Sequence, residues 1–161
     1  MPSVIVNSTP LISLCIIDKL YLLEKLYGNV MIPEAVFKEI NAKPDSIAKR
    51  KLDKSLDWIQ VCRIKNEMAK TFYKAQLHDG EVEVMILAKE VDAELLIIDD
   101  KNAKKHAKYL GFNVTGTLGV LIKAKRIGYI QSIKPLIEQL LSENIYINSN
   151  IIEYCLKEAG E

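Results

Sequence analysis

The sequence predicts an α/β domain built round a mostly parallel sheet of about five strands, and three observations carry that expectation. Short apolar runs alternate with longer segments whose apolar residues recur at helical spacing, the pattern of strand–helix–strand units. One run, Glu94 to Ile98, is apolar without alternation, as in a strand covered on both faces. Residues suited to helix starts and stops stand at the joins between these segments.

Taken in order, the first strand is expected over Ser3–Asn7, followed at once by a helix that Ser8 or Thr9 caps and Pro10 opens. A short helix over Lys19–Tyr27 stops at Gly28, which can take the left-handed conformation past a helix end. Asn29–Ile32 reads as a strand, and Pro33 opens the helix PEAVFKEINA. Another helix is expected from Pro44 to about Leu56, a strand over Trp58–Cys62 and a helix over Asn66–Gln76. The segment GEVEVMILAKEV is apolar on most sides and predicts a buried helix. Beyond the Glu94–Ile98 strand come a helix over Lys101–Leu110, a strand over Phe112–Val114 and a helix over Gly116–Arg126. Two further helices, Ser132–Ser142 and Asn150–Ala159, form a C-terminal extension from about residue 131, the second opened by the pair Asn150 and Glu153.

A chain of 161 residues fits one domain, here 1–161, and buries enough surface to need neither disulfide nor structural metal. Hydrophobic residues at 49% and charged residues at 27% exclude an intrinsically disordered chain. Cys15, Cys62 and Cys155 form no CxxC pair, so a reducing, cytoplasmic setting is expected rather than a zinc knuckle or disulfide framework. The apolar N-terminus lacks a basic leader, and no run of about 18 apolar residues is present, so no membrane span is expected. The net charge of +1 hides an asymmetry. From Lys101 to Ile137 the chain carries Lys101, Lys104, Lys105, Lys108, Lys123, Lys125, Arg126 and Lys134 and no Asp or Glu. That surface suits a polyanion such as RNA, whose counterions it would release, although a solvated lysine-rich face has the same composition.

In a parallel sheet, ligands gather beyond the carboxyl ends of strands. Asn7 ends the first strand there, and Asp99 and Asp100 end the fourth. Side chains alternate along a strand, so the two aspartates cannot both face one crevice; Asp100 is the favoured ligand, with Asp99 supporting it. The competing role for either is to cap the helix from Lys101. Glu81 shares a helix face with Val84, Met85 and Ala88, whereas Glu83 lies with Leu87 and Glu90. An inward carboxylate is paired or binds metal; an acid in a first helical turn is also favoured by the helix dipole. Glu39, beside Val36 and Ile40, reads in isolation as a solvated helix acid. Oxygen ligands select Mg²⁺ or Mn²⁺ over zinc, and a pair of such ions can hydrolyse a phosphodiester. His78 and His106 stand alone and read as surface residues, and the chain has no nucleotide-binding glycine loop or nucleophile elbow.

Several segments resemble PIN-domain proteins, specifically a VapC-like branch of prokaryotic members. They are VIVNSTPLISL, VMIPEAVFKEI, the long block from GEVEVMILAKEV through LIIDD to GTLGVLIKAKRIGYI, and IIEYCLKEAGE. The resemblance implies a Rossmann-like α/β/α sandwich and a metal-dependent ribonuclease. It sets the family's first aspartate on Asn7 and its other acids on Glu39, Glu81 and Asp100, with Ser8 or Thr9 as the small hydroxyl residue that follows the first acid. Glu39 thereby becomes an expected ligand. Asn7 is a departure, because an amide oxygen coordinates without adding negative charge.

The resulting expectation is an Mg²⁺- or Mn²⁺-dependent endoribonuclease, the toxin-like half of a toxin–antitoxin pair, with a homodimer and a small antitoxin protein as the partners that the resemblance implies. Ser8, Thr9, Lys101, Lys104, Lys105, Thr115 and Thr117 are the expected RNA contacts, the last two beside helix amides that can receive a phosphate. The rival expectation is a PIN module that binds RNA or protein without cutting. A phosphatase of the haloacid dehalogenase type is disfavoured, since it needs an aspartate nucleophile where Asn7 stands.

Overall fold

A computed structural model describes residues 3–73 and 77–161. Among the described residues, five parallel strands form one sheet in the order β3-β2-β1-β4-β5: β1 Val4–Val6, β2 Val30–Pro33, β3 Ile59–Cys62, β4 Leu95–Ile97 and β5 Val114–Thr115. The register pairs Val4 with Leu95 and Val6 with Ile97, which sets the ends of β1 and β4 level. Val4, Ile5 and Val6 are fully buried, as are Leu96 and Ile97, so the two central strands are covered on both faces. That is why they read as unbroken apolar runs rather than alternating ones.

Ten helices connect and cover the strands among the described residues: α1 Ser8–Ile16, α2 Tyr21–Tyr27, α3 Glu34–Asn41, α4 Ile47–Asp53, α5 Ala69–Tyr73, α6 Asp79–Val91, α7 Lys101–Tyr109, α8 Thr117–Ile127, α9 Lys134–Ser142 and α10 Ser149–Glu158. None of them is long and apolar enough to cross a membrane. Gly28 ends α2 with a φ of 75°, as a residue past a helix end requires. Helix α6 has no solvent face over its first turns: every residue from Gly80 to Ala88 is buried, because α3, α5 and the sheet pack round it.

Several starts differ from the sequence expectation, each for a local reason. Asn7, not Ser8 or Thr9, caps α1, its Oδ1 accepting the Ser8 amide at 2.9 Å. The fourth helix begins three residues beyond Pro44, where the Ser46 hydroxyl accepts the Lys49 amide at 3.1 Å. Asn66 precedes α5 rather than starting it, its Oδ1 accepting the Ala69 amide at 3.2 Å; the end expected at Gln76 lies outside the described residues. Asn148 caps α10 in place of Asn150, accepting the Asn150 amide at 2.8 Å. The C-terminal helices join the common core through Ile137, Leu140 and Cys155. Glu161 ties them down: its carboxylate accepts the amides of Ile133 at 2.7 Å and Lys134 at 3.1 Å and pairs with Lys125 at 3.0 Å.

Candidate functional site

The strand order reverses direction between β1 and β4: the chain builds outward through β2 and β3 on one side, then resumes on the other. At such a switch point the connections diverge and leave a crevice beyond the strand ends. Asn7 lies there, only 4% exposed, its backbone amide donating to the Ile97 carbonyl of β4 at 3.0 Å. The candidate acids approach this point from three elements.

From α3 comes Glu39, whose Oε2 accepts the Ser8 hydroxyl at 2.8 Å. Its residue is exposed as a whole, yet the carboxylate lies against Gly80 in the first turn of α6. A Cβ at Gly80 would sit 3.1 Å from Glu39 Cδ and closer still to Oε1. Gly80 is therefore a close-approach glycine that lets the two helices bring their acids together. One residue on, Glu81 is 9% exposed and its Oε1 accepts the His78 amide at 3.0 Å, so it closes the helix N-terminus. His78 is exposed, as its solitary place in the sequence suggested. Ser8, Glu39 and Gly80 are thus in contact, with Asn7 and Glu81 their neighbours along the chain.

From β4 come the two aspartates, and they part company. Asp99 is half-buried, accepting the Thr117 amide at 2.7 Å and the Thr117 hydroxyl at 2.6 Å. Asp100 is exposed and caps α7 by accepting the Ala103 amide at 2.8 Å. Asp99 Oδ1 and Lys104 Nζ lie 2.7 Å and 2.8 Å from where a Cβ on Gly116 would be, so any larger residue there would push into both. A groove of about 640 Å³ opens beside them, and its lining includes Thr9, Asp99, Lys104, Lys108, Thr115 and Thr117 together with Tyr146 and Tyr154. Helix α7 offers Lys104 and Lys108 to this groove, whereas Lys101 and Lys105 are exposed outside it. Ser8, Glu39, Glu81 and Asp100 do not line it.

Helical-wheel reasoning missed Glu83. Set on the same side as Leu87 and Glu90, it is nonetheless only 6% exposed, and it accepts the Ala35 amide at 3.1 Å and pairs with Lys70 at 2.6 Å. The hydrogen bond from the Lys70 ammonium to Glu83 pushes the lysine above its ordinary range. The signal was present in GEVEVMILA, whose nearly unbroken apolar run predicts a helix buried on most sides, with Glu83 inside it.

An oxygen-only donor set suits a hard divalent cation. In chemistry the residues fit such an ion; in spacing they do not close a cage. Among the described residues no three His, Cys, Asp or Glu side chains are gathered to hold one. Each carboxylate is instead turned to a protein donor: Glu39 to Ser8, Glu81 to the His78 amide, Asp99 to Thr117.

With the parallel sheet and the acids at its switch point in view, comparison with protein families becomes decisive: the model for DUF3368, described as a PIN domain, matches residues 3–161. The chain belongs to the PIN-domain family. PIN domains are generally divalent-metal-dependent nucleases, so this one is a nuclease-type module. No curated protein matches it.

Proposed function

We propose that this PIN domain is an Mg²⁺- or Mn²⁺-dependent endoribonuclease of the VapC-like branch, the toxin-like half of a type II toxin–antitoxin pair acting in the cytoplasm. The observation that carries the proposal is the contact of Ser8 with Glu39 and of Glu39 with Gly80 beyond the end of β1, which brings α3 and the first turn of α6, where Glu81 follows Gly80, up to Asn7 at the β1/β4 switch point. The Ser8 hydroxyl fixes the Glu39 carboxylate, Thr117 fixes Asp99 through its amide and hydroxyl, and the α6 turn fixes Glu81. Such pre-orientation limits the freedom lost when a cation and a phosphodiester are bound. Glu39, Glu81 and one of the two aspartates would hold the ion, with Asn7 Oδ1 assisting. A bound ion of this class supplies an activated water and stabilises the leaving oxygen. Asp99 is the better ligand of its pair, because it faces the crevice while Asp100 serves the helix cap. Lys104, Thr115 and Thr9, which line one groove, would contact the RNA backbone; a homodimer and a small antitoxin complete the proposed assembly.

The test is Mn²⁺-dependent cleavage of single-stranded RNA by the wild type, measured beside Glu81→Gln, Glu39→Gln, Asp99→Asn and Asp100→Asn. Cleavage is expected to vanish in the first three and to survive in Asp100→Asn. Full activity in Glu81→Gln and Asp99→Asn would refute these roles.

A second reading, a PIN module that binds RNA or protein without cutting, is favoured by Asn7, whose amide oxygen is engaged by the Ser8 amide and adds no charge. Asn7→Asp discriminates. A large gain in Mn²⁺ affinity and cleavage marks an attenuated nuclease, and no gain marks a binding module.

A further inference from the structure

We propose that the groove beside Asp99 is a binding track for unpaired polynucleotide, in which Tyr146 and Tyr154 stack bases while Lys104 and Lys108 hold the backbone. This rests on the reading of the chain as an RNA-directed module and names the aromatic and basic residues, apart from the acids, that would hold the strand. Tyr146 and Tyr154 are 86% and 65% exposed, yet both line the same groove, Tyr146 from the α9–α10 connection and Tyr154 from α10. Two large aromatic rings left mostly open to water in one groove contribute little to the core. They are available to stack on bases, each of which has an apolar face.

Charge supports the same occupant. Tyr154 also lines a second, adjoining groove of about 350 Å³ with Lys123 and Arg126, so the two grooves share a wall and the track continues along α8. The ionic residues lining the two grooves are Lys104, Lys108, Lys123 and Arg126 against Asp99 and Glu158. Both acids are already engaged, Asp99 by Thr117 and Glu158 by Arg126 at 3.2 Å. Among the described residues no ion pair involves Lys104, Lys108 or Lys123. Lys123 lies over the Tyr27 ring at 4.6 Å, which leaves the ammonium groups of Lys104 and Lys108 beside two open rings, a match for a phosphate chain with splayed bases. A duplex, whose bases are stacked on each other, offers no faces to the tyrosines.

The experiment is fluorescence anisotropy with a labelled 12-nucleotide oligo(U) in EDTA, so that binding is read without cleavage. Wild type is expected to bind the single strand more tightly than a duplex RNA of equal length. Tyr146→Ala and Tyr154→Ala each weaken binding on the order of 10-fold, while Tyr146→Phe and Tyr154→Phe, which keep the ring, bind as wild type. Lys104→Gln and Lys108→Gln each flatten the salt dependence by about 0.7 in slope. Unchanged binding in the double alanine variant, equal binding of duplex, or self-association in place of oligonucleotide binding would each overturn the proposal. Because the readout is metal-free, a wild type that binds but never cuts leaves the track intact and removes only the catalytic reading.

Discussion

Gly80→Ala separates the geometry of the acid patch from the stability of the fold. The added methyl would lie 3.1 Å from Glu39 Cδ and inside 3.0 Å of Oε1, a distance that real Cβ contacts essentially never show. The neighbour that must yield is the far end of a flexible side chain, so Glu39 swings away by roughly 1 Å or more and abandons the Ser8 hydroxyl. Losing that bond to a charged acceptor costs about 1.5 kcal/mol, the low end for such bonds, because Glu39 is exposed. Alanine in place of glycine in a helix returns up to about 1 kcal/mol. The two nearly cancel, and at about 2 to 4 °C per kcal/mol for a chain of this size the melting temperature shifts by no more than a few degrees. Activity behaves differently: a displacement of about 1 Å in a positioning group can cost on the order of 100-fold in rate. Differential scanning calorimetry paired with an Mn²⁺-dependent RNA cleavage assay reads both quantities. Wild-type cleavage at an unchanged melting temperature would show that the place of Glu39 beside Gly80 is irrelevant to the chemistry.

Thr117→Val keeps the backbone bond to Asp99 and removes the hydroxyl, which should cost about 1 to 3 kcal/mol in urea unfolding for leaving a half-buried carboxylate under-satisfied; Thr117→Ser should restore most of it. Burial pushes the Cys15 thiol up to about 12, and it raises Cys62 and Cys155 as well. Since only thiolate reacts, a disulfide reagent at pH 8 should label Cys62, the half-buried thiol, first, and reach Cys15 only after unfolding; immediate modification of all three would contradict the packing. At Glu161, desolvation favours the neutral acid but is outweighed by the Ile133 and Lys134 amides and by Lys125, so its carboxyl lies below the usual 4.5. A depressed acid contributes stability above its unfolded pKa and loses it as pH falls through the folded value. Wild type should therefore exceed Glu161→Gln in melting temperature at pH 7 and converge on it near pH 3, whereas a gap independent of pH would refute the role of the charge.

The parallel sheet was legible because its signal is thermodynamic and local. Val4–Val6 and Leu95–Ile97 have to be apolar at every position once both faces are covered, and that pattern survives in one dimension. Helix starts were less legible for a reason of the same kind. Any side chain with an oxygen one or two residues from a start can cap it, and the winner is set by how the preceding strand delivers the backbone. Asn7 wins over Ser8 because β1 ends at Val6 and leaves Asn7 extended, with its Oδ1 over the Ser8 amide. Sequence periodicity also assumes a single buried face per helix, whereas α6 is enclosed by α3, α5 and the sheet; that is how Glu83, on the face of Leu87, comes to be buried as well.

The site was legible as a set of residue types and only partly as an arrangement. Alternation along β4 required Asp99 and Asp100 to diverge, but it could not say which one faces the crevice. That depends on Gly116, whose missing Cβ leaves room for Asp99 Oδ1 and Lys104 Nζ and which stands one helix and one strand beyond Asp99 in sequence. The same distance explains why the acids look like a metal site on paper and yet each rests on an N–H or O–H donor in the fold. A carboxylate has about four acceptor positions and spends one or two of them on such a donor, so capping and coordination compete without excluding each other. Glu81 spends one on the His78 amide, while Asp99 engages both oxygens with Thr117. Glu81 is therefore the acid that can bind a cation at least cost to the fold, and Asp99 the one whose binding most directly strains the start of α8.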